Sequence, residues 1–253
     1  MNPIAFKIGP IPVHWYGIII AVAIGAGLLT AKRLGRHFDF YSGLFEEFLV
    51  WALPAALVGA RLWYVLFQLD YYLAHPGKII AVWEGGLAIH GAIFAAIGVA
   101  LLWTRAKKIN FLRFADVAAP ALVLGQAIGR WANFVNQEAY GSPTDLPWAL
   151  FIAGEYRHPT FLYESVWNLL IFIGLYYFLK SKPEPGRVFA LYLVGYSFGR
   201  FFIEGLRTDS LMLGSLRVGQ VISVLMIAAG LVLFFLANKM KRKVQDGEIN
   251  PEN

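Results

Sequence analysis

Residues 13–33 read VHWYGIIIAVAIGAGLLTAKR. From Val13 to Ala31 the run holds no acidic residue, lysine or arginine, and Lys32 and Arg33 close it. A helix needs about 20 apolar residues to cross the hydrocarbon layer of a bilayer. The run is longer than the roughly 7–15 apolar residues of a signal-peptide core, so it reads as a retained span. The rest of the chain has the same character. Of 253 residues, 58% are hydrophobic and 15% charged, where soluble domains carry about 25% charged residues.

Outward from this stretch, hydropathy and helix breakers predict six more spans, near 44–68, 87–104, 114–133, 160–179, 187–206 and 216–238. The expected fold is an all-α integral membrane protein of seven transmembrane helices. Residues 1–238 read as a single polytopic domain with an outer loop region near 134–159. Residues 239–253 read as a short basic, polar tail. The chain has no cysteine, which excludes disulfides, thiolate metal sites and a cysteine nucleophile of its own. A substrate can still bring a thiol. Its histidines, His14, His37, His75, His90 and His158, lack ligand spacing, and no phosphate-cradling loop motif is present, so neither a metal nor another cofactor is expected.

The net charge of +6 is distributed by side. Fourteen basic residues fall in the connections after spans one, three, five and seven, five fall in the opposite connections, and three lie within spans, together the 22 of the sequence. The positive-inside rule then places the N-terminus outside and the C-terminus in the cytoplasm. Read this way, the charge speaks for topology and no nucleic-acid partner is expected.

The three basic residues within spans are Arg61, Arg130 and Arg200, each late in an outward-running helix. Arg130 opens GRWANFVNQEAYG (129–141), which adds Asn133, Asn136, Gln137 and Glu138 directly after an apolar run. If the helix continues, Arg130, Asn133 and Gln137 share one face by their i, i+3, i+7 spacing. If it ends near Asn133, the later polar residues form an adjoining loop. Tyr16 and His14 in HWYG, His90 in GGLAIHG, Glu164 in HPTFLYE, and Glu204 and Arg207 after Arg200 are expected at the same outer depth. Six of the seven helices thereby contribute to one polar layer.

Each of these residues also has a bland reading. A charge at the bilayer centre costs about 2.5–3.5 kcal/mol on insertion scales, but near the interface a long side chain snorkels to water. Arg61 could be such a residue, or a structural pair. Glu204 could simply neutralise Arg200, and Glu164 could be a structural partner of an arginine. Asp116, at the opposite end of its span, reads as structural. The glycines of GQAIGR (125–130) and GYSFGR (195–200) could serve helix packing, whereas those of GGLAIHG could let a ligand approach His90. Convergent guanidiniums nevertheless suit a phosphate, and lipid headgroups are the abundant anions at that depth.

The motif at 129–141 resembles the signature of the bacterial prolipoprotein diacylglyceryl transferases. HWYG, GARLWYVLF, WEGGLAIHG, RHPTFLYE and GRFFIEGLR follow in the order that family shows, so the resemblance covers essentially the whole chain. Departures are Ala132 where the family commonly has Gly, Ala92 where it has the second Gly of HGG, and Phe161 where it often has Gln. The resemblance implies transfer of the diacylglyceryl group of phosphatidylglycerol to the lipobox cysteine of a prolipoprotein signal peptide. It places the enzyme, as a monomer among membrane lipids, in the bacterial inner membrane with its site toward the periplasmic leaflet. By position it implies that Arg130 binds the lipid phosphate, with Asn133, Asn136, Glu138, Gly141 and Arg200 shaping that site. His90, Tyr16, Arg200 and Glu204 would be catalytic, and Arg61, Glu164 and Arg207 supporting. By side-chain chemistry the base could be His90, Tyr16 or Glu204. A transporter or channel for an anionic solute is the rival reading, as is a non-catalytic lipid-binding protein. A transport pathway would spread ionisable groups through the membrane depth, and here they crowd the outer half.

Overall fold

A computed structural model of the protein describes residues 3–245. The chain forms two compact units, Phe40–Phe114 and a second unit built from the sequence on either side of it.

The flanking unit starts with a hairpin of β1 (Ile4–Ile8) and β2 (Ile11–His14) that runs straight into α1 (Trp15–Gly35). It continues with α5 (Phe111–Asn136), whose residues from Ala115 onward belong here, and with α6 (Thr160–Lys180), α7 (Arg187–Leu206) and α8 (Val218–Gln245). Two small hairpins decorate the connections, β3 (Leu150–Ile152) with β4 (Glu155–Arg157) and β5 (Met212–Leu213) with β6 (Leu216–Arg217). The most extensive helix contact is α7 against α8. Asp116, fully buried on α5, accepts hydrogen bonds from the amides of Gly186 and Phe189, both at 2.8 Å. It thereby satisfies orphan donors at the N-terminus of α7 and complements the helix dipole, which is the structural role expected of it. The paired glycines also serve packing. Trp167 of α6 lies on Gly199 and donates its indole N–H to the carbonyl of Gly195 at 2.9 Å, and Gly125 and Gly129 face Ala23 and Ile20 of α1.

The inserted unit is α2 (Leu44–Leu66) packed on α4 (Ile89–Ala106), with α3 (Leu69–Ala74) and two short 3₁₀ turns in the connection. Backbone meets backbone where the helices cross. A Cβ on Gly59 would lie 2.6 Å from the carbonyl oxygen of Gly91, a contact that only glycine permits. Gly91 of GGLAIHG is therefore spent on this crossing, and Gly86 lies against Arg61 and Tyr64, so both serve packing instead of a ligand's approach to His90. Phe114 stacks on Phe45 at 5.4 Å and closes the opposite end of the unit.

Among the described residues, six helices are long and apolar enough to cross a membrane: α1, α2, α4, α5, α6 and α8. The remaining expected span coincides with α7, whose Arg200, Glu204 and two tyrosines make it less apolar than the others. Large apolar side chains such as Leu29, Trp51 and Phe235 point outward, each more than 60% exposed. In a soluble protein they would be a liability, and in a bilayer they meet lipid. The chain is accordingly a multi-pass, all-α membrane protein. The last candidate span ends at Lys239, where the expected basic tail begins, and α8 itself runs on to Gln245; residues 246–253 lie outside the described residues.

Candidate active site

Arg130 and Arg200 occupy equivalent places, each six residues before the last residue of its helix, Asn136 for α5 and Leu206 for α7. Glu164, on the first turns of α6 and 3% exposed, bridges them. One carboxylate oxygen lies 2.5 Å from Arg130 Nη2, and the other accepts from Arg200 Nη1 at 3.2 Å. Arg200 also donates to Glu204, one turn along α7 and equally buried. Arg207 lies 3.9 Å from Glu204 and forks onto Asp209 at 2.9 and 2.8 Å. Burial alone would raise the Asp209 carboxyl, but its hydrogen bonds from Arg207 and that residue's charge hold it below the ordinary value. Two carboxylates thus fix two guanidiniums in a buried cluster, where the same charges act more strongly than in water.

The polar end of α5 serves partly as a helix stop. Gln137 takes a left-handed conformation (φ 52°), its amide bonds to the carbonyl of Phe134, and the amide of Glu138 bonds to the carbonyl of Asn133. This is the Schellman arrangement, with glutamine in the place usually given to glycine. The helix therefore continues past Asn133 to Asn136, and Gln137 does not share the face of Arg130, contrary to the i, i+7 expectation. Asn133 is within 3.5 Å of Arg130 and donates to the Glu138 carboxylate at 2.8 Å, so the cap and the arginine are linked. Asn136 is exposed at the helix end.

The loop that follows is sewn down on two sides. Ala139 accepts from the hydroxyl of Thr160 at 2.6 Å, Gly141 donates to the carbonyl of His158 at 3.1 Å, and Ser142 donates to that of Leu206 at 2.8 Å. A Cβ on Gly141 would stand 2.6 Å from Cβ of His158, which explains the glycine sterically. Arg217, counted from the sequence only as an outer charge, donates to the carbonyls of Glu204 and Arg207 and ties down the end of α7.

The other expected residues belong to other elements. Tyr16 is in the first turn of α1, 40% exposed, and takes no part in the hydrogen bonds of the cluster. His14 immediately precedes that helix. His90 and Arg61 belong to the inserted unit. His90 is exposed in the first turn of α4. Arg61 is 5% exposed and gives its donors to main-chain carbonyls of Lys78, Ile79, Gly85 and Gly86 at 2.6–2.9 Å. It also lies over the Tyr72 ring at 5.2 Å. These contacts make Arg61 a staple for the α2–α4 connection.

Between α1, α5 and α6 runs a groove of about 320 Å³, lined mainly by apolar residues including Val22, Ile128 and Leu169, together with Trp131 and Ser165, the sequence neighbours of Arg130 and Glu164. Trp131, next in sequence to Arg130, donates to Ser165 at its edge. Charged donors and an apolar trough suit a ligand with an anionic head and hydrocarbon chains. Among the described residues, no group of three or more histidine, aspartate and glutamate side chains could hold a metal.

Sequence comparison identifies relatives of the chain. A family model described as prolipoprotein diacylglyceryl transferase matches residues 3–236. A protein of Acaryochloris marina named phosphatidylglycerol–prolipoprotein diacylglyceryl transferase is 46% identical over 97% of this chain and 94% of its own length. Proteins of the same name from Lysinibacillus sphaericus and Finegoldia magna are 48% and 47% identical, over 91% and 92% of this chain and 90% and 94% of theirs. The chain belongs to the prolipoprotein diacylglyceryl transferase family.

Proposed function

We propose that the protein is a transferase that moves the diacylglyceryl group of phosphatidylglycerol to the thiol of a prolipoprotein's lipobox cysteine. The thiol loses its proton, its sulfur forms a bond to the glyceryl carbon, the carbon–oxygen bond to phosphate breaks, and glycerol phosphate leaves. The observation that carries this reading is the meeting of Arg130 and Arg200, from separate helices, on Glu164. A departing phosphate accumulates negative charge, and preorganised donors aimed at such charge commonly supply the largest catalytic contribution. Glu164 and Glu204 hold the forks in place before lipid arrives, while Asn133, Glu138 and Gly141 shape the adjoining loop.

A free cysteine thiol, with a pKa of about 8.5, is only slightly ionised at neutral pH. Deprotonation is assigned to His90 on side-chain chemistry, since imidazole is the side chain suited to proton transfer there. Tyr16 and Glu204 are the other candidates. His90→Gln is expected to change the pH dependence of kcat/KM, and an unchanged pH–rate profile would eliminate His90 as the base. The enzyme is assigned to the inner membrane with seven spans, N-terminus out and site toward the periplasmic leaflet, acting as a monomer among membrane lipids.

The direct test is mass spectrometry of a co-expressed lipoprotein precursor. Depleting the protein should abolish the diacylglyceryl mass increment on the cysteine. A precursor unaltered whether or not the protein is present would favour the anionic-solute transporter or the lipid-binding protein.

A further inference from the structure

One turn below the arginine–glutamate layer lies a second polar layer. On α5 it holds Gln126, four residues before Arg130; on α7 it holds Tyr196, four before Arg200; on α6, which runs the other way, it holds Asn168, four after Glu164. Asn168 is fully buried, and neither end of its carboxamide has a hydrogen-bond partner among the described residues. Gln126 donates to the hydroxyl of Tyr192 at 2.9 Å, but its oxygen is likewise buried and unpaired. The Glu164 oxygen nearest Arg130 has its ionic contact at 2.5 Å yet lacks hydrogen-bond geometry.

The facing of α6 shows where Asn168 points. Ser165 donates to the carbonyl of Ala127 at 2.8 Å, so that edge of the helix meets α5. Trp167 donates to Gly195, so the other edge meets α7. At about 100° per residue, Glu164 and Asn168 share the stripe between those edges. Glu164 confirms the direction by reaching both arginines. The unpaired amide thus points into the crease between α5 and α7, beneath the carboxylate.

Buried amides in native interiors are paired, with protein or with ordered water, and a buried water characteristically joins two to four such groups. We propose that Asn168, with the oxygen of Gln126, holds a buried water under Glu164 and thereby positions the carboxylate that bridges Arg130 and Arg200. Asn168 acts through Glu164 and touches no reacting atom. It is a positioning residue, and its role rests on the transferase reading above.

The test compares Asn168→Ala with Asn168→Ser in the full-length protein, assayed in vesicles containing phosphatidylglycerol with a lipobox peptide. The two variants remove nearly the same volume, so packing losses cancel and the hydroxyl alone distinguishes them. Asn168→Ala should lower kcat about tenfold, the weight of one hydrogen bond to a charged group. Its KM for phosphatidylglycerol should stay within about twofold, and its melting temperature should match that of Asn168→Ser. Asn168→Ser should retain most of the turnover. Wild-type turnover in Asn168→Ala, or equal losses in both variants, would overturn the proposal. Arg130→Ala run alongside separates the two readings: if it alone behaves as expected, only the role of Asn168 fails; if it is fully active, the phosphate grip fails too.

Discussion

Arg130→Ala lowers diacylglyceryl transfer by about 10²–10³-fold, the usual cost of removing one preorganised donor from a developing anion. The loss appears mainly in kcat, because the guanidinium is needed most when the phosphate takes up the charge of the breaking bond. Folding is affected less. Arg130 is not fully enclosed, its side chain being 20% exposed, and Glu164 keeps Arg200 as a counter-charge in the variant. Arg130→Lys restores only part of the rate, since an ammonium offers a point charge in place of a planar fork. Turnover of purified protein with phosphatidylglycerol and a lipobox peptide measures both.

Glu164→Gln produces a different pattern, with turnover and stability falling together. The carboxylate is 3% exposed and is the shared partner of two guanidiniums. Neutralising it leaves Arg130 without its carboxylate partner and Arg200 with Glu204 alone. Breaking a buried ion pair from one side costs about 3–5 kcal/mol, far above the few tenths typical of an exposed pair. Thermal unfolding in detergent should show a clear drop in melting temperature, and transfer should fall by at least the factor seen for Arg130→Ala. A variant with normal melting and normal turnover would mean that Glu164 is a bystander to the arginines.

The membrane class was legible because bilayer-length apolar runs are few-parameter signals, and 13–31 alone is nearly sufficient. The helix of 187–206 was found from its breakers, although the arginine and glutamate that give it a task also make it the least apolar candidate. Arg130, Arg200, Glu164 and Glu204 could be picked out because charges in an apolar run demand partners, and the structure supplies those partners from α5, α6 and α7. Their pairing could not be read, since it depends on how helices distant in sequence face one another. For the same reason Arg61 looked equivalent to the other two arginines, yet its donors serve the main chain of its own connection. Gln137 was misplaced because glutamine gives little warning of a left-handed cap. Asn168 and Gln126 passed unnoticed, although each stands four residues from a charged residue already singled out. A search for uncharged polar residues at that spacing within spans would have found both.

On the proposed mechanism, Arg130 and Arg200 grip one phosphate as a unit. Single-turnover transfer at saturating phosphatidylglycerol, measured for Arg130→Ala, Arg200→Ala and the double variant, tests it most directly, because residues that act together are strongly non-additive. The double variant should be about as slow as the slower single one. Losses that multiply, or a single variant at the wild-type rate, would contradict it.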